Sequence, residues 1–172
     1  MNRIVHIAST VATGADEPVT LQEFKDYAKH EWTGSDPWEV VEDALDTSFL
    51  LTAREIVEKH IRQNVVVRDL VVKMQVDQDD FPLPMGEVIG AVTLTDGDGN
   101  AIDSFEQFGN RIENLCAGKY IFSYQSGMSE VPETIKTAIK AQALFLYDNR
   151  LSTEMAPMAK AYLTGHICYD YY

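Results

Sequence analysis

The sequence predicts an α+β protein, with helices toward both ends of the chain and an antiparallel β module between them. Three observations carry this reading. Apolar residues recur at helical spacing in residues 21–29 and 37–63. The period switches to two in residues 65–76 and in the segments that follow, and helical spacing returns after Val131. No repeat, low-complexity stretch or Gly/Ser linker divides the chain, so its 172 residues read as one domain carrying a modest insertion.

Met1-Asn2-Arg3 followed by Ile4-Val5-His6-Ile7-Ala8 faintly imitates a signal peptide. The apolar run is short, is broken by His6 and dissolves into Ser9, Thr10 and Thr13, so it reads as an N-terminal strand. Thr20 and Glu23 then form a T-x-x-E capping box, with Val19 and Phe24 at the staple positions. Leu21, Phe24 and Ala28 continue a short helix that Trp32-Thr33-Gly34 should end. Asp36 as N-cap, Pro37 at the first helical position and Glu39 closing a second box open a longer helix. Trp38, Val41, Leu45, Phe49, Ala53, Ile56, Val57 and Ile61 mark its apolar face, and it should reach about Gln63. Acids fill its early turns (Glu39, Glu42, Asp43, Asp46) and bases its late ones (Arg54, Lys59, Arg62), an order that complements the helix dipole.

In residues 65–76 the even positions are apolar except Arg68, as a half-buried strand requires. Asp79, Asp80, Pro82 and Pro84 interrupt it. A second strand is expected over 88–95, a turn at Asp96-Gly97-Asp98-Gly99-Asn100, and a return strand over 102–108. Residues 119–125 form a further strand that presents Tyr120, Phe122 and Tyr124 together. Pro132, placed at a first helical position, opens a helix to about Asn149. Between Ala141 and Tyr147 only Gln142 is polar, more apolar surface than one side can bury. Leu144, Phe145 and Tyr147 are therefore candidates for contact with a neighbouring subunit. Pro157 opens a last helix to Leu163, before Gly165.

Acids outnumber bases 27 to 14, a formal charge of −13, which argues against binding phosphate backbones through counterion release. Cys116 and Cys168 lie far apart with no CxxC or Cys/His spacing, so neither a disulfide framework nor a zinc site is expected. The turn at Asp96 matches the D-x-D-x-N opening of a calcium loop, yet Ala101 and Gln107 stand where that loop needs Gly and Glu. Asp77, Asp79 and Asp80 read as solvated loop acids, and His6, His30, His60 and His166 are scattered. Nucleotide-binding glycine motifs and a G-x-S-x-G elbow are missing. No catalytic residue, metal or cofactor is expected. The aromatics of residues 120–124 have no flanking base but Lys119 and read as core or interface rather than as stacking platforms for bases.

Two segments resemble the head–tail connector (adaptor) family of long-tailed bacteriophages. The first is Glu17-Pro18-Val19-Thr20-Leu21-x-Glu23-x-Lys25, followed by the long helix from Pro37. The second is Tyr124-Gln125-Ser126-Gly127, then Val131-Pro132-Glu133-Thr134-Ile135-Lys136-x-Ala138-Ile139, ending in Leu146-Tyr147-Asp148-Asn149-Arg150. In that family a strand ending in Tyr-x-x-Gly leads into a Val-Pro-x-x-Ile-Lys-x-Ala-Ile helix whose end carries Tyr-x-x-Arg. Order and spacing agree over residues 17–150. The family's Arg-rich end of the first helix is replaced here by His30, Glu31 and Trp32, and the segment after Leu151 departs from the pattern.

The resemblance implies a small helical bundle formed by both ends of the chain (about 18–63 and 131–164), with the β module inserted over about 64–126. It implies a non-enzymatic virion protein, made in the host cytoplasm, that forms a ring of identical copies beneath the dodecameric portal. Such a ring links head to tail and extends the channel through which DNA passes without specific binding. Portal, neighbouring copies and tail, stopper or tail-terminator proteins would be the partners, with no membrane involved. The acids Glu39, Glu42, Asp43 and Asp46 are candidates for a channel face. The last residues, 165–172, are too apolar for a solvated tail. Ile167, Tyr169, Tyr171 and Tyr172 are candidates for docking onto the portal, with a strand added to the chain's own β module as the alternative. Two other functions stay open: another head- or tail-completion protein, and a small metal-dependent enzyme built on Asp77, Asp79 and Asp80.

Overall fold

The computed structural model describes residues 2–12, 16–28, 37–150 and 152–168, and the side chains within them except those of 37–42. The architecture is α+β, with helices toward both ends and a β module between them. The described residues divide into two compact units, one of the first strand with residues 63–129, the other of residues 17–62 and 130–167.

In the β unit, β1 (Arg3–Val11), β2 (Arg68–Val76), β4 (Val88–Asp96) and β7 (Gly118–Ser126) form an antiparallel sheet in the order β1-β2-β7-β4. β3 (Phe81–Pro82), β5 (Glu106–Phe108) and β6 (Arg111–Glu113) form a second, smaller sheet in the order β3-β6-β5. The alternation expected of β2 is present, with Leu70, Val72, Met74 and Val76 buried and Asp69, Val71, Lys73 and Gln75 exposed. That face packs with Phe122 and Tyr124 of β7 and Val92 and Leu94 of β4. Phe81, Leu83 and Ile112 complete the core around the small sheet, and Phe81 meets Phe122 edge to face at 5.8 Å.

The return strand expected over 102–108 forms only in part. After the turn, Ala101 bridges Thr95 and Ile102 N–H donates to Leu94 O (3.0 Å), then the chain leaves the large sheet and 106–108 pairs with β6 instead. The Asp96 turn is held by its own carboxylate. One oxygen accepts the N–H groups of Asp98 and Asn100 (2.9 and 2.8 Å), and the other accepts the Asn100 amide (2.9 Å). These bonds, the Asn100 side chain first, hold the Asp96 pKa below its ordinary value.

In the helical unit, α1 (Leu21–Ala28) starts from the capping box. Thr20 N–H donates to Glu23 Oε2 (2.7 Å) and Glu23 N–H to Thr20 Oγ1 (3.2 Å), while Val19 and Phe24 are buried as a staple. α2 (Pro37–Ile61) stops two residues short of expectation, where Arg62 turns into the left-handed region (φ 60°). The buried stripe of α2 is Asp46, Leu50, Ala53, Arg54, Val57, Glu58 and Ile61. Leu45, expected on that stripe, is exposed. Polar residues share the buried face. Arg54 is buried and donates to Glu17 Oε2 (2.9 Å) and to Glu58 Oε2 (3.0 Å).

α3 (Glu133–Asp148) begins one residue later than expected, with Pro132 as its N-cap (φ −58°, ψ 144°). It buries Ile135, Ala138, Ile139, Ala141, Gln142, Ala143 and Leu146. Gln142, the polar exception in the sequence, is fully buried with both amide heteroatoms hydrogen-bonded. Its Oε1 accepts Ala156 N–H (2.7 Å) and its Nε2 donates to Glu154 O (2.9 Å), fixing the approach to α4 (Pro157–Leu163). Asp36 and Trp32-Thr33-Gly34 lie outside the described residues, as do the side chains of Trp38, Glu39 and Val41.

Candidate interaction surfaces

Among the described residues no group of three or more His, Cys, Asp or Glu is placed to hold a metal ion. Asp80 of the loop cluster is paired with Arg111 (2.6 Å), and neither Cys116 nor Cys168 is in a disulfide. No helix among the described residues is long and apolar enough to cross a membrane.

The first surface is on the helical unit. Leu144, Phe145 and Tyr147 of α3 are half-buried, so each keeps apolar area that the unit itself does not cover. Tyr147 meets Phe49 of α2 edge to face at 6.0 Å, and the Arg150 guanidinium lies 5.5 Å from the Tyr147 ring centroid. That stacking gives the Tyr-x-x-Arg spacing a physical meaning: α3 ends at Asp148, and the turn that follows it brings the cation over the ring. On α2, Leu45 and Leu51 are exposed. Leu51 borders a cleft of about 170 Å³ lined by Pro18, Val19, Leu21, Leu50 and Ile139.

The candidate acidic face is divided by the structure. Asp43 is half-buried and paired with Lys25, and Asp46 is fully buried on the packed side of α2. Neither therefore presents a bare carboxylate at the surface of this chain. The side chains of Glu39 and Glu42 lie outside the described residues, as do Tyr169, Tyr171 and Tyr172. Ile167 is half-buried, just after His166, whose Nε2 is 2.8 Å from Thr134 Oγ1 at the start of α3.

The second surface is the edge of the large sheet. At β4 the outer edge is closed by a side chain that the sequence reading passed over. Gln107 Oε1 accepts Val92 N–H (2.9 Å), and its Nε2 donates to Gly90 O (3.0 Å), so one amide does the work of a neighbouring strand. At β1 the outer edge has no strand beyond it among the described residues, and eight of its nine residues are exposed. Between these edges the Tyr-x-x-Gly segment is held tightly. Tyr124 hydroxyl donates to Pro84 O (2.9 Å), and a Cβ on Gly127 would come within 2.7 Å of Val67 Cα. Only glycine fits against that backbone.

No protein-family model and no curated protein sequence matches this chain. Solved structures match it in fold. One is a chain from the neck of an empty gene transfer agent (GTA) particle computed with C6 symmetry, at TM-score 0.69 and 19% identity, covering 91% of this chain and 93% of that one. Another is a chain from the virion of a native GTA particle, at TM-score 0.68 and 20% identity, covering 92% and 94%. At such identities the likeness is one of fold, and it runs almost end to end in both partners.

Proposed function

We propose that this protein is a structural subunit of the neck of a phage-like particle, the adaptor ring beneath the portal that links head to tail and extends the DNA channel. The observation that carries this is the end-to-end fold likeness to a chain described as part of a particle neck. The acidic balance of −13 suits a channel wall that does not hold DNA. The half-buried Leu144, Phe145 and Tyr147 suit a face completed by the next copy. On this reading the protein is not an enzyme. Its partners are the portal, identical copies of itself and the tail, stopper or terminator proteins, and it resides in the virion.

Electron microscopy of the protein co-expressed with the portal of the same particle tests the proposal. The expected result is a ring of copies stacked on the portal around a central channel, with Leu144, Phe145 and Tyr147 buried against the adjacent copy. Particles in which the protein sits away from the portal–tail axis would reject it. A ring at the tail side of the neck, not touching the portal, would favour the completion-protein reading instead.

A further inference from the structure

We infer that the edge of β1, which no other strand covers among the described residues, is a self-association surface, through which two copies of the free protein pair their sheets antiparallel, strand to strand. This does not rest on the neck reading, and it concerns a different part of the chain from α3.

The direction of the backbone groups follows from one bond. Ala12 N–H donates to Val67 O (3.0 Å), and the β1–β2 register runs unbroken from His6↔Lys73 to Val11↔Arg68. In an antiparallel pair, residues alternate between facing the partner strand and facing away. Ala12, Thr10 and Ala8 therefore spend their N–H and C=O groups on β2, and Val11, Ser9 and Ile7 point theirs outward. An unpaired, regular edge of this kind is a template for another strand.

Three features point to a second copy as the occupant. From Ile4 to Val11 the strand carries no acid, and its one ionisable side chain is His6, whereas the chain as a whole carries −13. Two copies that repel elsewhere can meet here without opposing carboxylates. The stretch is also self-complementary: a two-fold axis at Ser9 pairs Ile7 with Val11 in both directions and makes about six backbone hydrogen bonds. Centring the pair on Ile7 instead would run into the register shift between Ile4 and His6. Finally, Gln107 closes the opposite edge, so a head-to-tail extension from β1 to β4 is blocked and the isologous pair remains. Val11, 48% exposed, would bury apolar surface in the pair.

The contact is small, well below the roughly 1,200 Å² of a standard interface, so a weak dimer with a Kd of about 10 to 1,000 μM is expected. Sedimentation velocity over a concentration series reads it. The wild type should show reversible dimers. Ser9→Pro removes an outward N–H and leaves the β2 ladder its donors, and Ser9→Lys sets two ammonium groups against each other across the axis. Both should weaken the dimer at least tenfold with an unchanged circular dichroism spectrum. If Ser9→Pro unfolds, Ser9→Lys alone decides. Ser9→Cys should give a covalent dimer under mild oxidation, since paired Cα atoms there lie about 5.5 Å apart. Wild type, with Cys116 and Cys168 only, is the control. A wild type that stays monomeric at every concentration, or a dimer that survives Ser9→Lys, overturns the inference.

Discussion

Arg54 shows how a single residue can be plain in the sequence and still be misplaced by it. Its letter is polar and it stands among the late bases of α2, which reads as a solvated position favourable to the helix dipole. The structure buries it between Glu17 and Glu58, and the i, i+4 spacing to Glu58 was the only signal of this. A buried ion pair is costly to desolvate, and breaking it costs more than never having made it. Arg54→Met is expected to destabilise the protein by about 3 to 5 kcal/mol, because it removes the cation bonded to the buried Glu58 carboxylate. The double variant Arg54→Met/Glu58→Met should recover most of that loss. Urea denaturation of the two variants and wild type checks both statements. A single variant as stable as wild type would mean that water reaches Glu58. Gln142 follows the same logic in neutral form: its amide replaces backbone partners for Glu154 and Ala156, a role no spacing rule reveals.

Elements were legible where a period or a cap was long enough to repeat. The alternation of β2 runs through the whole strand, and the capping box of α1 names its own start. β3 and β6 are two or three residues each and carry no period at all, and β5 falls inside the strand expected over 102–108, so its pairing into a separate small sheet was not legible. α2 was found as a helix but with its stripe displaced. Apolar residues four apart precess by about 40° per step around a helix of 3.6 residues per turn, so a row that includes Leu45 drifts off the buried face. The capping box also carries a pH dependence. Hydrogen bonds from Thr20, backbone first, hold the Glu23 pKa below its ordinary value. A carboxyl with a depressed folded pKa contributes stability that is present above its unfolded value near 4.5 and lost as pH falls through the folded one. Thr20→Ala should cost about 1 kcal/mol at neutral pH. The gap between variant and wild type should shrink as the solution is acidified below pH 4, which paired denaturation curves would show. A gap that stays constant into acid would assign the loss to the backbone N–H of Glu23 that Thr20 Oγ1 accepts, and not to the Glu23 carboxylate.

At the scale of the molecule, the chain leaves its β unit after the first strand, builds most of the helical unit, returns for residues 63–129 and finishes in helices. Changes of hydrophobic period mark where long helices give way to long strands, but period alone does not say which elements share a core. Function was less legible than fold, because assembly surfaces are made of ordinary apolar and acidic residues whose meaning depends on a partner. The proposed portal-docking role of the last residues is the part most open to a clean test, and the structure sharpens where to cut. His166 reaches Thr134 Oγ1 (2.8 Å), and Ile167 is half-buried, so removing residues 165–172 would disturb the helical unit as well as any docking segment. Deleting 169–172 alone takes away Tyr169, Tyr171 and Tyr172 and leaves those contacts in place. Aromatic residues of this kind dominate the binding energy of many interfaces, since each carries large apolar area with a polar tip. The truncated protein should keep its circular dichroism spectrum and melting temperature while its affinity for portal falls by at least about tenfold, or 1.4 kcal/mol. Co-purification with portal, followed by titration calorimetry, measures the change. Wild-type affinity after the cut would remove the docking role from these tyrosines. A lowered melting temperature with portal binding retained would instead assign them to the chain's own packing, as an added strand.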